Sequence, residues 1–519
     1  MDAVVIVLGI LVLAVIAFMS NRVPLGVVAL GVALALWATG ILTLNQALAG
    51  FGDPTVLFIA SLFVVSEALD ATGVTAWAAQ QVLARGGTGR RRFIVMVGLL
   101  VAVLTALISV NGSVAALIPM VVVVAVRASV SPSRMLMPLA FAGHAGSLLA
   151  LTGTPVNIIV SEAAADAGAR PFGFFEFALA GLPLLVATIV FLALFSHRLL
   201  PDRAPSVISS DVSEHVEQLR TQYSLPASTE LVNGHSGFAE VVIPPRSALI
   251  GVHVFAGMTT SFGDLVVLGL QRAGYGLRGA NVRLQAGDTL LLRGSWADLE
   301  THAAQSDVLV VDDPASLRRA VPLGGGAKRA IGVLLAMVVL LATGLVPPAV
   351  AGLLGAMAVV LLGVLRPAEA YRAISWTTVV LIAGMIPLST AVIATGAAER
   401  VAGWVTGVVG TSSPHLALLA VCVLTVLLGQ LISNAATVLI MVPIATVLAA
   451  DLQVSVLPFM MALTVAGAAA FLTPVATPAN TMVMEPGGYR FTDYWRLGLP
   501  LLLLYLAVAV LYVPLIWHF

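Results

Sequence analysis

Long apolar runs alternate with short polar segments along this chain, and most of the runs have the length of a membrane-spanning helix. About 20 consecutive apolar residues, wound as a helix, cross the hydrocarbon core of a bilayer. Runs of this kind occur near residues 3–19, 24–43, 55–72, 135–164, 179–197, 330–346, 348–365, 376–395, 456–484 and 497–517. The pattern predicts an all-α polytopic membrane protein.

Two further apolar runs are too long for one crossing and are interrupted by polar residues near the middle. They cover 94–126, with Asn111 at the interruption, and 415–450, with Asn434 at the interruption. Polar backbone at membrane depth is tolerated only where it faces protein or a wet cavity. Each run is therefore predicted to form either a re-entrant hairpin or two short crossings, and in both cases the chain leaves on the side where it entered.

The polar interruptions recur in the same order in both halves of the chain. Asn434 follows Asn111 by 323 positions, and Pro478 follows Pro155 by the same number. The matched segments are Asn111-Gly112-Ser113 with Ser433 to Thr437, and Thr154-Pro155-Val156-Asn157 with Thr477-Pro478-Ala479-Asn480. A shared order at a nearly constant spacing indicates an internal repeat, which in so apolar a chain is typical of transporters with duplicated halves.

A charged insert separates the two repeats. The predicted parts are a first membrane repeat over 1–202 with a hairpin at 94–126 and a broken helix at 135–164, the insert over 203–325, and a second membrane repeat over 326–519 with a hairpin at 415–450 and a broken helix at 456–484. Five crossings precede the insert. Because that number is odd, the second repeat is predicted to lie in the membrane in the inverted orientation.

Basic residues in the connecting loops predict the side of the membrane that each loop occupies, since cytoplasmic loops carry an excess of Lys and Arg. One set of loops contains only Arg170 and Arg400. The other contains Arg22, Arg85, Arg90, Arg91, Arg92, Arg127, Arg134, Arg198, Arg203, Lys328, Arg329, Arg366, Arg372, Arg490 and Arg496. We therefore expect the insert in the cytoplasm, both termini outside, and the protein in the plasma (inner) membrane.

Composition supports a lipid environment and narrows the function classes. Hydrophobic residues make up 60% of the 519 positions and charged residues 10%, and the mean hydropathy is +1.05. A single cysteine, Cys422, excludes an intrachain disulfide. The sequence contains no metal-ligand cluster, nucleophile elbow or pair of catalytic carboxylates. We expect a carrier and not an enzyme, with no cofactor other than a coupling ion and no nucleic-acid partner.

The insert has the sequence of a small α+β domain. Short strands are predicted, between turns rich in Gly, Pro and Asp, near 239–243, 264–270, 288–293 and 307–311. The segments 244–251 and 286–294 resemble the C-terminal regulator domain of potassium-conductance proteins (RCK or TrkA-C type), and the resemblance covers about 238–311. It implies a regulatory module that binds a small ligand or dimerises. A folded spacer without a ligand is the alternative.

One motif of the insert, Gly274 to Gly279, satisfies the G-x-G-x-x-G pattern of dinucleotide-binding proteins. In those proteins an apolar helix follows, and its N-terminus holds the pyrophosphate. Here the residues from 280 to 288 run into another turn. We interpret the motif as a glycine-rich hairpin without a nucleotide.

The repeated breaks predict an anion site at the centre of the fold. Pro155 and Pro478 suit the first turn of a new half-helix, where a missing N–H costs nothing. The N-terminal N–H groups of such half-helices, and of the second arms of the hairpins, carry roughly half a positive charge and attract anions. The predicted substrate-binding residues are Asn111, Gly112, Ser113, Thr154, Pro155, Ser433, Asn434, Thr437, Thr477 and Pro478.

Oxygen atoms near the same breaks are predicted to form sodium sites. Asn, Ser and Thr side chains coordinate hard cations without the desolvation cost of a charge, and carbonyls exposed at a break do the same. The predicted sodium ligands are Ser109, Asn111, Gly153, Asn434 and Ala476. The alternative is that these residues only kink helices.

With these motifs the chain resembles the divalent-anion/sodium symporters, which carry dicarboxylates, citrate or sulfate. The resemblance covers nearly all of the membrane portion and is most specific over 433–443 and 473–486. It implies an elevator-type carrier with two re-entrant hairpins, usually a homodimer. In that family, paired Ser-Asn-Thr motifs bind a small divalent anion and sodium.

The match to the Ser-Asn-Thr motif is incomplete. In the second half Asn434 matches, and Ala435 replaces the threonine. In the first half Asn111 matches, but Val110 and Gly112 stand where serine and threonine are expected. The loss of hydroxyls favours a compact anion such as sulfate over a longer dicarboxylate.

Titratable residues bear on the coupling ion, because a buried titratable group in the transport core is typical of proton coupling. The candidates are His144, and near span ends Glu67, Asp70, Glu162 and Asp451. We interpret the acids as interfacial or paired and the histidine as satisfied by neighbouring carbonyls, so sodium symport is expected. A proton-coupled carrier and an arsenite or sodium/proton exchanger are the related alternatives. A ligand-gated channel regulated by the insert is the alternative of another class.

Overall fold

The computed structural model of the protein describes residues 2–20, 22–86, 90–127, 131–203, 219–223, 225, 236–260, 264–272, 275–277, 281–303, 307–311, 317, 323–409 and 413–519. Helices make up most of this part of the chain, and its strands lie between residues 236 and 310.

The first half consists of helices of alternating length. They are α1 (Ala3–Ser20), α2 (Leu25–Ala38), α3 (Leu44–Leu48), α4 (Pro54–Ala71), α5 (Val74–Gly86), α6 (Arg90–Leu107), α7 (Val110–Arg127), α8 (Leu136–Gly146), α9 (Pro155–Asp166) and α10 (Ala178–Leu199). The run 94–126 is thus divided between α6 and α7, and the run 135–164 between α8 and α9.

The second half repeats this order. After α11 (Trp296–Ala303) of the insert come α12 (Ala327–Thr343), α13 (Pro348–Leu361), α14 (Pro367–Ala373), α15 (Trp376–Ala394), α16 (Ala397–Val409), α17 (Pro414–Gly429), α18 (Asn434–Asp451), α19 (Leu457–Ala468), α20 (Pro478–Met484), α21 (Tyr494–Ala507) and, beyond a π-helical turn at Val508–Tyr512, α22 (Val513–Ile516). The run 415–450 is divided between α17 and α18, and the run 456–484 between α19 and α20.

Six helical segments of the described chain are long and apolar enough to cross a bilayer: Ala3–Ser20, Leu44–Ala71, Ala178–Leu199, Trp376–Ala394, Asn434–Asp451 and Phe491–Ile516. Large apolar side chains such as Leu13, Leu335 and Leu361 are exposed on the outer helices, as contact with lipid requires. The prediction of a helical multi-pass membrane protein is confirmed. Helices α5 and α16 are not predicted, because each mixes apolar with charged residues and lacks a continuous apolar run. The short helices α3 and α14 also lie between the predicted runs.

The two halves pack against each other reciprocally: each of two helices in the first half contacts the counterpart of the other in the second half. Helix α2 packs against α15, and α4 packs against α13. Gly384 of α15 lies against the backbone of Ala29, so close that an added Cβ would be 2.8 Å from its carbonyl oxygen. A side chain at Gly352 of α13 would collide with Ser61 and Phe58 of α4. Small residues at these crossings let the backbones approach closely, as in other membrane helix pairs.

The insert contains an antiparallel sheet. Its strands lie in the order β4-β3-β6-β1-β7, and β2 and β5 form a separate pair. The strands are β1 (Ser236–Val242), β2 (His253–Val254), β3 (Leu265–Arg272), β4 (Tyr275–Gly276), β5 (Val282–Arg283), β6 (Thr289–Ser295) and β7 (Leu309–Val310). Gly274 and Gly279, the first and last residues of the glycine motif, lie outside the described residues. Between them, Tyr275 and Gly276 form the short strand paired with β3.

An ion pair with a buried carboxylate joins the end of β3 to the turn before β6. The fully buried carboxylate of Asp288 accepts hydrogen bonds from Nε and Nη2 of Arg272, over 2.7 and 2.8 Å, and from the backbone N–H of Gln285. Burial alone would raise the pKa of the Asp288 carboxyl, but these hydrogen bonds outweigh it and hold the pKa below its usual value. The charged form of Asp288 is therefore part of the folded insert.

Each end of the insert is bonded to a different half of the membrane domain. At its start, Arg203 donates to the Gly488 carbonyl and to the Asp493 carboxylate, both over 2.7 Å. At its end, the N–H of Gly324 donates to the carbonyl of Thr72 over 2.8 Å. The first contact reaches the second half of the chain, and the last contact reaches the first half.

Candidate functional site

The second arm of each hairpin begins with a serine N-cap. Helix α7 follows Ser109, whose hydroxyl oxygen accepts a hydrogen bond from the N–H of Gly112 over 3.2 Å. Helix α18 follows Ser433, whose oxygen accepts one from the N–H of Ala436 over 3.4 Å. Such a cap satisfies one of the N–H groups that a helix start leaves unpaired. The two helix tips therefore have the same local geometry.

These caps correct the register of the repeat at the tips. Ser433 follows Ser109 by 324 positions, and Thr437 follows Ser113 by the same number. Pairing the two asparagines at a spacing of 323 is one residue out of register here. The first tip keeps both a serine cap and a hydroxyl one turn inside the helix, so the expected loss of hydroxyls is wrong and no longer favours sulfate.

Three oxygen atoms at the tips are buried and have no hydrogen-bond partner among the described residues: the hydroxyls of Ser113 and Thr437 and Oδ1 of Asn434. The side chains of Ser113 and Thr437 are fully buried, whereas that of Asn111 is exposed. Leaving a buried polar atom without a partner costs about 1–3 kcal/mol. A ligand would remove this cost, because a hydroxyl donates to an oxyanion and an amide oxygen coordinates a cation.

Threonine caps begin the helices after the two breaks. The oxygen of each accepts a hydrogen bond from a backbone N–H of the first turn, over 3.5 Å at Thr154 and 3.3 Å at Thr477. Pro155 and Pro478 occupy the first helical position, where proline loses no hydrogen bond. Helix α9 has 12 residues, but α20 has only seven. The predicted helix N-terminus at Pro478 therefore belongs to a short helix.

The asparagine of the Thr-Pro-x-Asn motif holds each break in place. Nδ2 of Asn157 donates to the backbone carbonyls ten and seven positions before it, both over 2.8 Å. Nδ2 of Asn480 donates to the carbonyls at the same two spacings, over 2.7 and 3.1 Å. These asparagines are missing from the predicted site, although the repeated motif itself contains the signal. They satisfy carbonyls that the broken helix leaves free.

Each helix tip packs against the broken helix of the opposite half. Helix α7 contacts α20, and α18 contacts α9. At the second crossing, Gly467 of α19 lies beside both elements: an added Cβ would be 3.1 Å from Val438 of α18 and 3.7 Å from Val156 of α9. The helix that carries Asn111 to Ser113 therefore contacts the helix of Pro478, and the helix that carries Asn434 and Thr437 contacts the helix of Pro155.

The two backbone positions predicted as sodium ligands are buried at the breaks. Gly153 lies in the turn that precedes α9, and a side chain there would collide with the carbonyl of Ser147. Ala476 directly precedes the second threonine cap, and its N–H donates to Oγ1 of Thr473 over 3.2 Å. Both belong to the non-helical backbone whose carbonyls are the predicted cation ligands.

A carboxylate lies beside the first tip, where the sequence pattern indicates only a span end. Oδ2 of Asp70, in the last turn of α4, is 3.3 Å from the position that a Cβ on Gly112 would occupy, and Oγ of Ser109 is equally close to that position. A carboxylate beside a hydroxyl suits a cation. Nothing in the linear sequence joins α4 to the tip of α7, so this neighbour is missed without a structure.

His144 contacts the second threonine cap from the opposite half. Its buried ring has Nε2 at 3.2 Å from both Oδ1 of Asn480 and Oγ1 of Thr477. The partners of Nε2 are the amide carbonyl oxygen of Asn480 and the hydroxyl of Thr477, so a neighbouring carbonyl contacts this histidine as expected, and a hydroxyl contacts it as well.

Two other kinds of site were considered. Within the described ranges, no group of three or more His, Cys, Asp or Glu side chains is placed to hold a metal ion. In the insert, a cavity of about 190 Å³ is lined by apolar side chains that include Val241, Met258 and Leu290, with His302 at its wall. The polar tips of the membrane domain remain the candidate site.

Comparison with known proteins gives the same class. The profile of the family described as citrate transporter, CitMHS, matches residues 15–466 and 408–519. The uncharacterised transporter YfbS of Escherichia coli (strain K12) is 30% identical over 99% of each chain. Probable sodium/sulfate cotransporter 3 of Chlamydomonas reinhardtii is 29% identical over 44% of this chain and 27% of its own. The solved structure of the Alcanivorax borkumensis YdaH transporter has a TM-score of 0.49 at 14% identity, covering 91% of this chain and 88% of its own.

The family match spans both hairpins and both broken helices, and YfbS matches along the whole length. The relatives are transporters, which is the class expected from the sequence. The resemblance to divalent-anion/sodium symporters is refined by these matches, since the profile belongs to a related family. The chain belongs to the CitMHS citrate transporter family.

Proposed function

We propose that this protein is a secondary transporter that carries a divalent oxyanion together with sodium, and that sulfate is the substrate. The observation that carries the proposal is the pair of buried hydroxyls of Ser113 and Thr437, one turn inside two serine-capped helix tips, for which the described part of the chain offers no hydrogen-bond partner. Each hydroxyl can donate to an oxyanion, and the N-terminus of its helix attracts negative charge.

The substrate is assigned from the donors at the site and from the relatives. Sulfate presents only acceptor oxygens, which suit hydroxyl and backbone N–H donors. The matched relative from Chlamydomonas reinhardtii is named a sodium/sulfate cotransporter, which supports this choice. Citrate, named in the family description, is the second candidate. Its larger, more highly charged skeleton needs donors spread over a longer distance.

Sodium is the proposed coupling ion. Oxygen ligands of the predicted kind lie at both tips, at Ser109 and Asn434, and the carboxylate of Asp70 lies beside the first tip. A hard cation bound among such oxygens would offset the charge of a divalent anion bound nearby.

The proposed transport cycle is an elevator movement of two inverted repeats in a homodimer. Support comes from the reciprocal packing of α2 with α15 and of α4 with α13, and from the mutual packing of α6, α8 and α10, with α7 packed on α8. The basic loops support an insert on the cytoplasmic side.

Uptake into proteoliposomes tests the proposal. Labelled sulfate and labelled citrate are supplied with an inward sodium gradient, and in parallel with a pH gradient in sodium-free buffer. We expect sulfate uptake that requires sodium. Uptake driven equally well by the pH gradient would contradict sodium coupling, and uptake of citrate alone would replace the substrate.

Two variants locate the site in the same assay. Ser113→Ala and Thr437→Val should each raise the KM for sulfate about tenfold, the size expected for one hydrogen bond to a charged group. Thr425→Val is the matched control, because Thr425 is also fully buried but its hydroxyl donates to the Val421 carbonyl within α17, over 2.7 Å. A KM that stays at the wild-type value in both site variants would place the anion elsewhere.

A further inference from the structure

The side-chain amide of Asn480 has one orientation. Its nitrogen lies 2.7 Å from the Ala470 carbonyl and 3.1 Å from the Thr473 carbonyl. Carbonyl oxygens only accept hydrogen bonds, so the amide nitrogen must face them and Oδ1 must face the other way. Oδ1 is the atom 3.2 Å from Nε2 of His144.

The orientation of this amide determines the proton position on His144. An amide oxygen only accepts, so Nε2 of the histidine must carry the hydrogen that lies between them. The neutral ring is then the Nε2–H tautomer. The same N–H faces Oγ1 of Thr477, which is also 3.2 Å away.

The hydroxyl of Thr477 is consequently surrounded by donors. Its oxygen accepts from the backbone N–H of Asn480 over 3.3 Å and faces the N–H of His144. Neither neighbour has a lone pair to offer, so the hydroxyl hydrogen must point away from both. Among the described residues no acceptor for that hydrogen is recorded, and the hydroxyl remains available as a donor to a ligand.

We infer that His144 is a positioning residue that holds the Thr477 hydroxyl as a donor toward the transported oxyanion. The inference rests on the proposed function and deepens it, because it assigns the direction of one hydrogen bond at the substrate site. His144 acts through Thr477 and does not itself touch the anion.

The second half of the chain has no equivalent of this histidine at the repeated position. The position of His144 in the repeat, 323 residues on, is Gly467. That glycine is packed between Val438 and Val156, at 3.1 and 3.7 Å from an added Cβ, which leaves no room for an imidazole. Correspondingly, Oδ1 of Asn157 has no partner among the described residues. The two threonine caps are therefore unequal, and only Thr477 is oriented by a histidine.

A double-mutant cycle tests the inference in the uptake assay with labelled sulfate, run in parallel with labelled citrate. Thr477→Val should raise the KM about tenfold with Vmax within about twofold of wild type. His144→Leu should raise the KM by a similar factor. In the double variant the second change should add less than about twofold, because both remove the same hydrogen bond. His415→Leu, at the exposed start of α17, is the control for a lost histidine and should leave the KM unchanged.

A rescue separates positioning from packing. The amide nitrogen of a glutamine reaches about as far as Nε2 of histidine and also donates. His144→Gln should therefore keep the KM within about twofold of wild type. A tenfold rise in that variant, or multiplying effects of His144→Leu and Thr477→Val, would overturn the positioning role.

The tautomer is measured on the folded wild-type protein, which keeps the inference testable if His144→Leu does not fold. Nitrogen-15 NMR of labelled histidines, assigned by subtracting the spectrum of His144→Gln, should show hydrogen on Nε2. Hydrogen on Nδ1 alone would overturn the inference. If Thr477→Val leaves the KM unchanged while Ser113→Ala and Thr437→Val raise it, the anion site stands and the inference about Thr477 and His144 fails; if none of the three raises the KM, the proposed anion site itself fails. If Thr477→Val weakens uptake but His144→Leu does not, only the role of His144 fails.

Discussion

Opposite chemistries lie within one turn of the first helix tip. The hydroxyl of Ser113 can donate to an anion, whereas the carboxylate of Asp70 repels an anion and attracts a cation. A divalent anion bound in so small a space would be repelled by this carboxylate. A cation bound next to Asp70 would offset that repulsion, so the placement of this one side chain favours binding of sodium before the anion.

Asp70→Asn tests this at the residue scale. Removing the negative charge should raise the sodium concentration for half-maximal uptake about tenfold, since a contact with a charged group is worth about 1.5–3 kcal/mol. The measurement is a sodium titration of uptake at saturating sulfate. Asp451→Asn is the matched control, because Asp451 is an exposed carboxylate at the far end of α18. An unchanged sodium dependence in Asp70→Asn would remove Asp70 from the cation site.

At the scale of elements, three residues of a repeated motif stabilise the irregular backbone at each helix break. A threonine caps the new helix, a proline occupies its first turn, and an asparagine binds the carbonyls that the old helix leaves free. Without such partners, carbonyls at membrane depth would be unsatisfied, and each would cost several kcal/mol. The asparagines are therefore expected to stabilise the fold and not to contact substrate.

Asn157→Ala should lower the stability of the protein by about 2 kcal/mol. The Ser147 carbonyl loses the donor that Asn157 provides, and the Ala150 carbonyl keeps the N–H of Gly153. For a chain of this size the midpoint of thermal unfolding should fall by roughly 2 °C, measured on protein purified in detergent. Asn45→Ala serves as control, since Asn45 is an exposed residue of α3. A midpoint within a degree of wild type would show that other groups, such as water, satisfy these carbonyls.

The insert has its own pH dependence. The pKa of Asp288 is held below its unfolded value, so the pair with Arg272 contributes fully at neutral pH, above an unfolded pKa of about 4. That stability is lost as the pH falls through the lower folded pKa. Hydrogen exchange in β3 and β6, corrected for intrinsic rates, should therefore accelerate in wild type at acidic pH.

Asp288→Asn should show fast exchange in β3 and β6 already at pH 7, since a neutral amide cannot replace the two charge-assisted hydrogen bonds from Arg272. Exchange in the membrane helices should stay as in wild type. Asp264→Asn, which alters an exposed carboxylate of the same domain, should have no effect. Equal protection in Asp288→Asn and wild type would mean that the ion pair contributes little.

At the scale of the whole molecule, the three parts of the chain are interlocked. Helices α2 and α4 each pack against the counterpart of the other, the helix behind each tip contacts the broken helix of the other half, and the two ends of the insert bond to different halves. A displacement of either half would therefore change the contacts of both tips and of one end of the insert. This arrangement makes the orientation of the whole protein testable at a few positions.

Cysteine labelling tests the proposed orientation. Cys422 is fully buried, so Cys422→Ala gives a background for single cysteines. Ala167→Cys, exposed between α9 and α10, should react with an impermeant maleimide on intact cells. Asp264→Cys, exposed in the insert, should react only after permeabilisation. The reverse pattern would invert the orientation drawn from the basic loops.

The sequence predicts the membrane helices well and the site only in part. The run 376–395 corresponds to α15, Trp376–Ala394, because an apolar run of bilayer length has few alternatives to a helix. The register at the helix tips is missed because the sequence alignment pairs the two asparagines, whereas the serine caps define the equivalent positions. The contact of His144 with Thr477 joins residues 333 positions apart, and it depends on packing between halves, which no local pattern contains.

The packing of helices of the first half against helices of the second half has a consequence for biosynthesis. At about 10 residues per second, roughly half a minute separates the synthesis of His144 from that of Thr477. During that interval α2, α4 and the tip of α7 are already in the membrane without their later partners. The early helices must remain stable in lipid without the second half. A ribosome that stops in the insert therefore leaves an incomplete protein in which α7 lacks its packing partner α20.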